Sequence, residues 1–338
     1  MNYPTQPLID NHGRIIDYIR IAVTDRCNLR CYYCMPEEGI DYVPRDHLLH
    51  YEEIERIVRI LAAMGVKKVR ITGGEPFIRR DIIHLMESIT RTPGIEALHI
   101  TTNGTVTKNY IPQLQAMGVK GVNLSLDTLD RERFLKITRR DMLDEVLGTM
   151  HALVDANIPV KINMVVLGGI NDDEIVTMAR LAEKYPVDVR YIEEMPFNGG
   201  GHAQQTTWRD HHFIAERLRS EFPGLTLIPS EKSSTATNYS IHGFQGRLGI
   251  IPAFSRTFCG SCNRIRLTPE GVFKTCLYDR GMFNIRDVMR SGASDDQLAD
   301  TIREAVGHRA TNGFEAERQA MQFPYLDNSR ESMSTIGG

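Results

Sequence analysis

Six cysteines fall into two groups of three, Cys27, Cys31 and Cys34, then Cys259, Cys262 and Cys276. The first group reads C-x3-C-x2-C within one short segment, and the second reads C-x2-C-x13-C. An odd number in each group cannot pair internally, and six in 338 residues are too few for a disulfide framework. Metal or cluster ligation is the better reading. Three thiolates on one loop can cap three corners of a [4Fe–4S] cube and leave one iron open to a small molecule, whereas a purely structural cluster takes four cysteines. The alternative is tetrahedral zinc, for which the first trio would have to recruit a distant residue. The second trio could take His242 to make a Cys3His site, and its spacing alone leaves that alternative open.

Four cations stand inside or at the end of four different apolar runs: Arg20, Arg70, Lys161 and Arg190. Burying a cation is expensive unless an anion meets it. A polyphosphate would supply that anion, and arginine forks match phosphate oxygens. Arg264 and Arg266 lie two and four residues beyond Cys262, and period two puts both on one face of a strand. Gly73-Gly74-Glu75-Pro76 offers two glycines where backbone can approach a ligand closely, although the same residues also suit an ordinary turn. Thr102-Asn103-Gly104 also has turn composition. No side-chain general base stands out.

Elements able to position these groups are legible in the hydrophobic pattern. From Ile19 to about Phe222, short apolar runs alternate with stretches of helical period, as in Tyr51 to Met64, where Ile54, Ile57, Val58, Leu61 and Ala62 mark one face. The runs are Ile19 to Thr24, Val69 to Thr72, Ala97 to Thr102, Gly121 to Leu126, Val160 to Val166 and Val187 to Ile192. Such alternation predicts an α/β fold of βα units on a parallel sheet, and about six units suggest a partial, open TIM-type barrel. The polar motifs, including Ser125-Leu126-Asp127 and Glu193-Glu194-Met195-Pro196, follow the runs directly, on the face where βα loops converge. We expect a first domain over 1–222. A smaller α+β region over 223–338 should carry shorter strands at Leu225 to Pro229, Ala236 to Ile251 and Arg264 to Thr275, a helix from Asp295 to Val306, and a solvated tail from Tyr325 to Gly338.

Composition excludes some partners. A net charge of −3 and a pI near 6.4 give no basic field for nucleic acid, so an anionic substrate must be met by local cations. No stretch of 18 apolar residues suggests a membrane span, and the N-terminus lacks a signal pattern, which reads as a cytoplasmic protein.

The stretch Cys27-Asn28-Leu29-Arg30-Cys31-Tyr32-Tyr33-Cys34-Met35-Pro36 resembles the signature loop of the radical S-adenosylmethionine (SAM) superfamily. The resemblance implies that the open iron chelates SAM, that reductive cleavage yields methionine and a 5′-deoxyadenosyl radical, and that Tyr33, Gly74, Ser125 and Met195 contact SAM. With the second trio and the Arg264/Arg266 pair beside it, the chain resembles the GTP 3′,8-cyclase family. That implies two [4Fe–4S] clusters, with the second holding the purine of GTP. Arg20, Arg70, Thr101, Lys161, Arg190, Arg264 and Arg266 would then lie near the nucleotide. The terminal Gly337-Gly338 resembles the family's tail, which reaches the active site and assists the radical chemistry. The implied reaction forms 3′,8-cyclo-7,8-dihydro-GTP, the first step of molybdenum cofactor biosynthesis. It needs an electron donor and a downstream cyclic pyranopterin monophosphate synthase, and a homodimer is left open.

Overall fold

The chain is described by a computed structural model covering residues 7–195, 207–229, 233–322 and 333–336. Strands β1 (Tyr18–Ala22), β2 (Lys68–Thr72), β3 (Ala97–Thr102), β4 (Gly121–Ser125), β5 (Val160–Val166) and β6 (Val187–Glu193) alternate with helices. These are α1 (Tyr51–Ala63), α2 (Ile82–Arg91), α3 (Ile111–Ala116), α4 (Arg131–Thr138), α5 (Leu143–Asp155) and α6 (Ile175–Lys184). There follow α7 (His211–Glu221), β7 (Thr226–Ile228), β8 (Thr237–Ser240), β9 (Leu248–Ile251), β10 (Arg264–Leu267), β11 (Val272–Lys274) and β12 (Phe283–Asn284). Helices α8 (Ile285–Arg290), α9 (Asp295–Gly307), α10 (Gly313–Gln322) and α11 (Met333–Ile336) complete the order.

Local chemistry explains the boundaries. Helix α1 opens with a capping box in which Glu53 accepts from the His50 backbone N–H at 2.7 Å, and α9 opens with the Ser294/Gln297 equivalent. Ile54, Ile57, Val58 and Leu61 are buried, as the helical period of α1 requires. Helix α4 starts at Asp130, whose side chain accepts from the Arg133 N–H, and stops at Arg139, held at φ 56°.

By internal contacts the chain forms two units, Met1–Asn28 with Ile40–Ile100 and Cys259–Gly338, and Leu29–Gly39 with Thr101–Phe258. In the first, β10, β1, β2 and β3 run parallel in that order, with β11 and then β12 added antiparallel beyond β10. In the second, β4, β5, β6 and β9 are parallel, with β8 and β7 antiparallel outside β9. Both β12 and β7 are edges, and the fold is an open, partial TIM-type barrel rather than a closed one. On β5, Val160, Ile162, Met164 and Val166 are buried while Lys161, Asn163 and Val165 are half-buried, so period two separates a packed face from a polar one.

One expectation is corrected. The segment anticipated as a solvated tail contains α11, in which Ser334 and Ile336 are each only 2% exposed, against β1. Ile336 supplies an apolar anchor, and its carbonyl accepts from the Arg266 guanidinium at 3.1 Å. Among the described residues no helix is long and apolar enough to cross a membrane.

Candidate active site

Strand β1 leads into Thr24-Asp25-Arg26-Cys27. The Gly73-Gly74-Glu75 turn after β2 lies directly against it, with Gly74 N–H donating to the Thr24 carbonyl (2.8 Å) and Glu75 N–H to the Arg26 carbonyl (2.9 Å). A Cβ on Gly74 would overlap the Arg26 carbonyl oxygen, and Gly73 sits at φ 145°. The two glycines are therefore required by the close approach of two backbones beside the first cysteine of the trio.

In the second unit, the N–H groups of Cys34 and Met35 both donate to the Cys31 carbonyl, at 2.8 and 3.0 Å. That single turn carries two of the thiols. Helix α4 fixes it, since Thr138 and Ile137 carbonyls accept from Arg30 and Tyr32 N–H, and Arg139 donates back to the carbonyls of Arg30 and Met35. The Tyr33 hydroxyl donates to Asp127 Oδ2 at 2.7 Å while Oδ1 accepts from Val165 N–H at 2.8 Å. Burial pushes the Asp127 carboxyl up to about 6, against those two hydrogen bonds. Tyr33 is raised well above an ordinary phenol, first by desolvation and then by Asp127 and Cys31. Ser125 closes β4 and Met195 follows β6. Glu193 is absorbed structurally: fully buried, it takes the N–H and Oγ–H of Ser255 and the backbone N–H and ring nitrogen of His211. Pro196 lies outside the described residues, as do Gly337 and Gly338.

In the first unit, strand register assembles a row of cations. Lys274 on β11 pairs with Arg266 on β10, Arg266 with Arg20 on β1, Arg20 with Arg70 on β2, and Arg70 with His99 on β3. Paired residues share a face, so four cations and a histidine stand side by side with no acidic residue in the row. Arg70, His99, Arg266 and Lys274 are buried and Arg20 is half-buried. The adjacent row holds Arg264, Tyr18 and Lys68. The Tyr18 ring lies 5.0 Å from Lys68 Nζ, 5.6 Å from the Arg70 guanidinium carbon and 5.9 Å from that of Arg20. Burial alone would raise this phenol, but Arg70, Arg20 and Lys68 outweigh it and bring it down to about 8. Arg266 is driven well below an ordinary guanidinium, to about 9, first by burial and then by repulsion from Arg20 and Arg264. Crowding of this kind calls for a multiply charged anion.

The second unit repeats the device more sparsely. Lys161 pairs with Asn123, and Asn163 with both Ser125 and Arg190. Gly249 lies opposite Arg190, where a Cβ would stand 3.3 Å from the Arg190 Cγ. Among the described residues, the buried oxygens Thr101 Oγ1, Asn123 Oδ1 and Asn163 Oδ1 find no hydrogen-bond partner, so they are available to a polar ligand.

The second trio belongs wholly to the first unit. Cys259 and Cys262 sit on a tight turn closed by Cys262 N–H to the Cys259 carbonyl at 3.2 Å. Arg264 and Arg309 both reach the Cys262 sulfur, at 3.3 and 3.1 Å. Burial would raise the Cys262 thiol, yet Arg264 and Arg309 bring it down to about 6. Cys276 is pushed up to about 11 by burial and by Asp279. Three thiols match three corners of an iron–sulfur cube, and a sulfur already stabilised as thiolate suits it. Because β10 is parallel to β1 and β11 antiparallel to both, Cys262 and Cys276 lie off the N-terminal end of β1. Cys27 lies off its C-terminal end, with the cation row between.

The sequence reading missed several of these groups. Tyr18 and Lys68 stand two residues before Arg20 and Arg70, and Asn163 two after Lys161, so period two could have found them. Arg14 and Arg309 gave no such signal, because they act through backbone carbonyls far away in sequence, Arg14 donating to that of Cys259 and Arg309 to those of Cys262 and Arg264.

Comparison with known proteins follows the same division. The Radical SAM superfamily matches residues 21–182, and the Molybdenum Cofactor Synthesis C family matches residues 187–314. GTP 3′,8-cyclase of Clostridium perfringens (strain SM101 / Type A) is 40% identical over 330 residues, covering 97% of this chain and 99% of that protein. Molybdenum cofactor biosynthesis protein 1 of Homo sapiens is 40% identical over 305 residues, 89% of this chain. The chain spans about half the length of that human relative, 48%. Among solved structures, SuiB of Streptococcus suis bound to S-adenosylmethionine superposes with a TM-score of 0.58 at 17% identity, over 86% of this chain and 69% of that one, a likeness of fold.

Proposed function

Since the chain belongs to the GTP 3′,8-cyclase family of radical SAM proteins, we propose that it converts GTP to 3′,8-cyclo-7,8-dihydro-GTP. The reaction is the first step of molybdenum cofactor biosynthesis. The observation that carries the substrate assignment is the row Lys274, Arg266, Arg20, Arg70 and His99, in which cations crowd without an acidic neighbour in register. A triphosphate meets that crowding better than a peptide or a neutral sugar.

Cys27, Cys31 and Cys34 would hold the cluster that, when bound, supplies the electron for reductive cleavage of SAM to methionine and the 5′-deoxyadenosyl radical. Tyr33 is fixed by Asp127 so that its ring can flank SAM. Gly74 lets backbone approach the SAM amino group, and Ser125 and Met195 close the remaining sides. Arg20, Arg70, Arg264 and Arg266 take the phosphates, while Thr101, Lys161 and Arg190 complete the nucleotide site with uncommitted polar atoms around them. Cys259, Cys262 and Cys276 would carry a second [4Fe–4S] cluster that orients the purine. In this reading residues 1–222 form the radical SAM partial barrel, which also lends Arg20, Arg70, Thr101, Lys161 and Arg190 to the nucleotide, and 223–338 form the second-cluster and substrate region with Arg264, Arg266 and the Gly-Gly tail. Gly337 and Gly338 assist the radical step from an anchor at Ile336. The enzyme would work in the cytoplasm with a separate electron donor, hand its product to cyclic pyranopterin monophosphate synthase, and act as a monomer or homodimer.

The test is chromatography of products after mixing anaerobically reduced protein with SAM and each nucleoside triphosphate in turn. Cyclised nucleotide and 5′-deoxyadenosine should appear together with GTP alone. A product from another triphosphate, or none from GTP, would refute the assignment.

A further inference from the structure

The mechanism so far gives no task to Arg309, on the loop after α9. It is 3% exposed, one of the most deeply buried cations of the described chain. Its guanidinium donates through Nη1 to the Cys262 carbonyl (2.9 Å) and through Nη2 to the Arg264 carbonyl (3.0 Å), and lies 3.4 Å from Asp10 Oδ2. With those contacts fixing the plane of the group, Nη2 points at the Cys262 sulfur at 3.1 Å. Asp10 is itself held by Arg14 at 2.6 Å, and Arg14 also donates to the Cys259 carbonyl at 3.0 Å. A short N-terminal turn thus reaches the backbone of one trio cysteine and, through Arg309, the sulfur of another.

We propose that Arg309 is a positioning residue for the second cluster. Its buried guanidinium hydrogen-bonds the Cys262 ligand sulfur and holds the cluster's reduction potential above the value that three thiolates alone would set. The inference rests on the second-cluster reading given above. The physical reason is that an N–H···S bond from a cation withdraws electron density from the thiolate, which favours the more negative, reduced form. Arg264 reaches the same sulfur at 3.3 Å, but it is half-buried on the cation-bearing face, where a bound polyanion would draw it away. Arg309 cannot follow, because its other contacts are to backbone and to a buried carboxylate. The structure therefore assigns Arg309 the constant part of the tuning and Arg264 the part that substrate can change. Cys276 lies instead beside the Asp279 carboxylate, whose Oδ2 accepts from the Cys276 backbone N–H at 2.7 Å. The polarisation of the trio points the electron-withdrawing side at Cys262.

The experiment starts from a full-length parent in which Cys27, Cys31 and Cys34 are all changed to Ala, so that only the second trio can load. After anaerobic reconstitution, iron content is measured and the one-electron couple is titrated with dithionite and followed by electron paramagnetic resonance. Arg309→Lys and Arg309→Gln should keep the parent's iron and shift the midpoint to lower potential, more for Gln than for Lys. A tenfold fall in the reduced-to-oxidised ratio at the parent's midpoint corresponds to about 59 mV. Adding GTP should move the parent and the Arg309→Gln variant in the same direction, since Arg264 is intact in both. Unchanged potentials with iron retained would overturn the inference. Loss of iron from both variants would also overturn it, in favour of a purely structural arginine. A parent that binds no iron would instead remove the second-cluster reading, and the inference with it.

Discussion

Replacing Arg266 by Met separates what the cation row does for the fold from what it does for substrate. Bringing Arg266 down from the ordinary guanidinium range to about 9 corresponds to on the order of 4 to 5 kcal/mol of penalty on the charged form. A guanidinium stays protonated at neutral pH, so the folded protein carries that penalty. One counterweight is the hydrogen bond to the Ile336 carbonyl, for which roughly 1.5 to 3 kcal/mol is usual with a charged donor. Removing the charge while keeping an apolar stem should therefore stabilise the ligand-free protein by roughly 1 to 3 kcal/mol, a rise of a few degrees in Tm. GTP binding should weaken by about 1 to 3 kcal/mol, or roughly 5- to 150-fold in Kd. Thermal melts of anaerobic protein with and without GTP, paired with titration calorimetry, read both effects. The opposite pattern, a destabilised apoprotein with unchanged GTP affinity, would show that Arg266 exists to hold α11 and would refute the crowding argument.

Four further outcomes are expected. Gly74→Ala should cost roughly 1 to 3 kcal/mol of stability by overpacking against the Arg26 carbonyl and should abolish saturable SAM binding, measured by equilibrium dialysis. Tyr18→Phe should leave stability nearly unchanged below pH 8. The native phenol titrates near 8 instead of 10, so its ionisation stabilises the wild type progressively between pH 8 and pH 10, by on the order of 2 to 3 kcal/mol at the top of that window. Urea melts at stepped pH would show this, and a constant gap across the window would refute it. Cys31→Ala should end SAM cleavage, whereas Cys276→Ala should leave slow cleavage without cyclised product, resolved by assaying 5′-deoxyadenosine and nucleotide together. A chain ending at Ile336 should keep its iron and its melting profile while cyclised product falls sharply, and equal product yield would remove Gly337 and Gly338 from the chemistry.

The βα alternation was legible because each early strand is a short, mainly apolar segment with a buried face and each helix carries a stripe, as β5 and α1 illustrate. The cysteine trios were legible because ligand spacing within a loop is local. Other relations depend on register between distant strands. Nothing in the segment around Arg264 announces that it will lie beside Tyr18, or that Lys274 will extend the same row, since pairing of β10 with β1 joins residues far apart in sequence. The polar composition of the last residues likewise hid Ile336, because one buried side chain leaves no period to detect.

That register carries a functional consequence that no single motif contains. Along β1, the thiols of Cys262 and Cys276 lie off one end and Cys27 off the other, while Arg20 and its neighbours occupy the middle. A substrate held by the row is therefore placed between two thiol groups on opposite ends of the strands. A nucleotide suits that arrangement because it is long and chemically polar along its length: the base can face one end, the phosphates can meet the cations, and the ribose can be offered to the other. A small anion such as inorganic phosphate would satisfy the cations but span neither end. Triphosphate alone should thus compete with GTP for binding yet fail to influence the spectrum of an iron centre at the second trio, whereas GTP should perturb it. Paired competition and electron paramagnetic resonance measurements decide the point, and an identical spectral response to both would mean that the row and the second trio are not parts of one site.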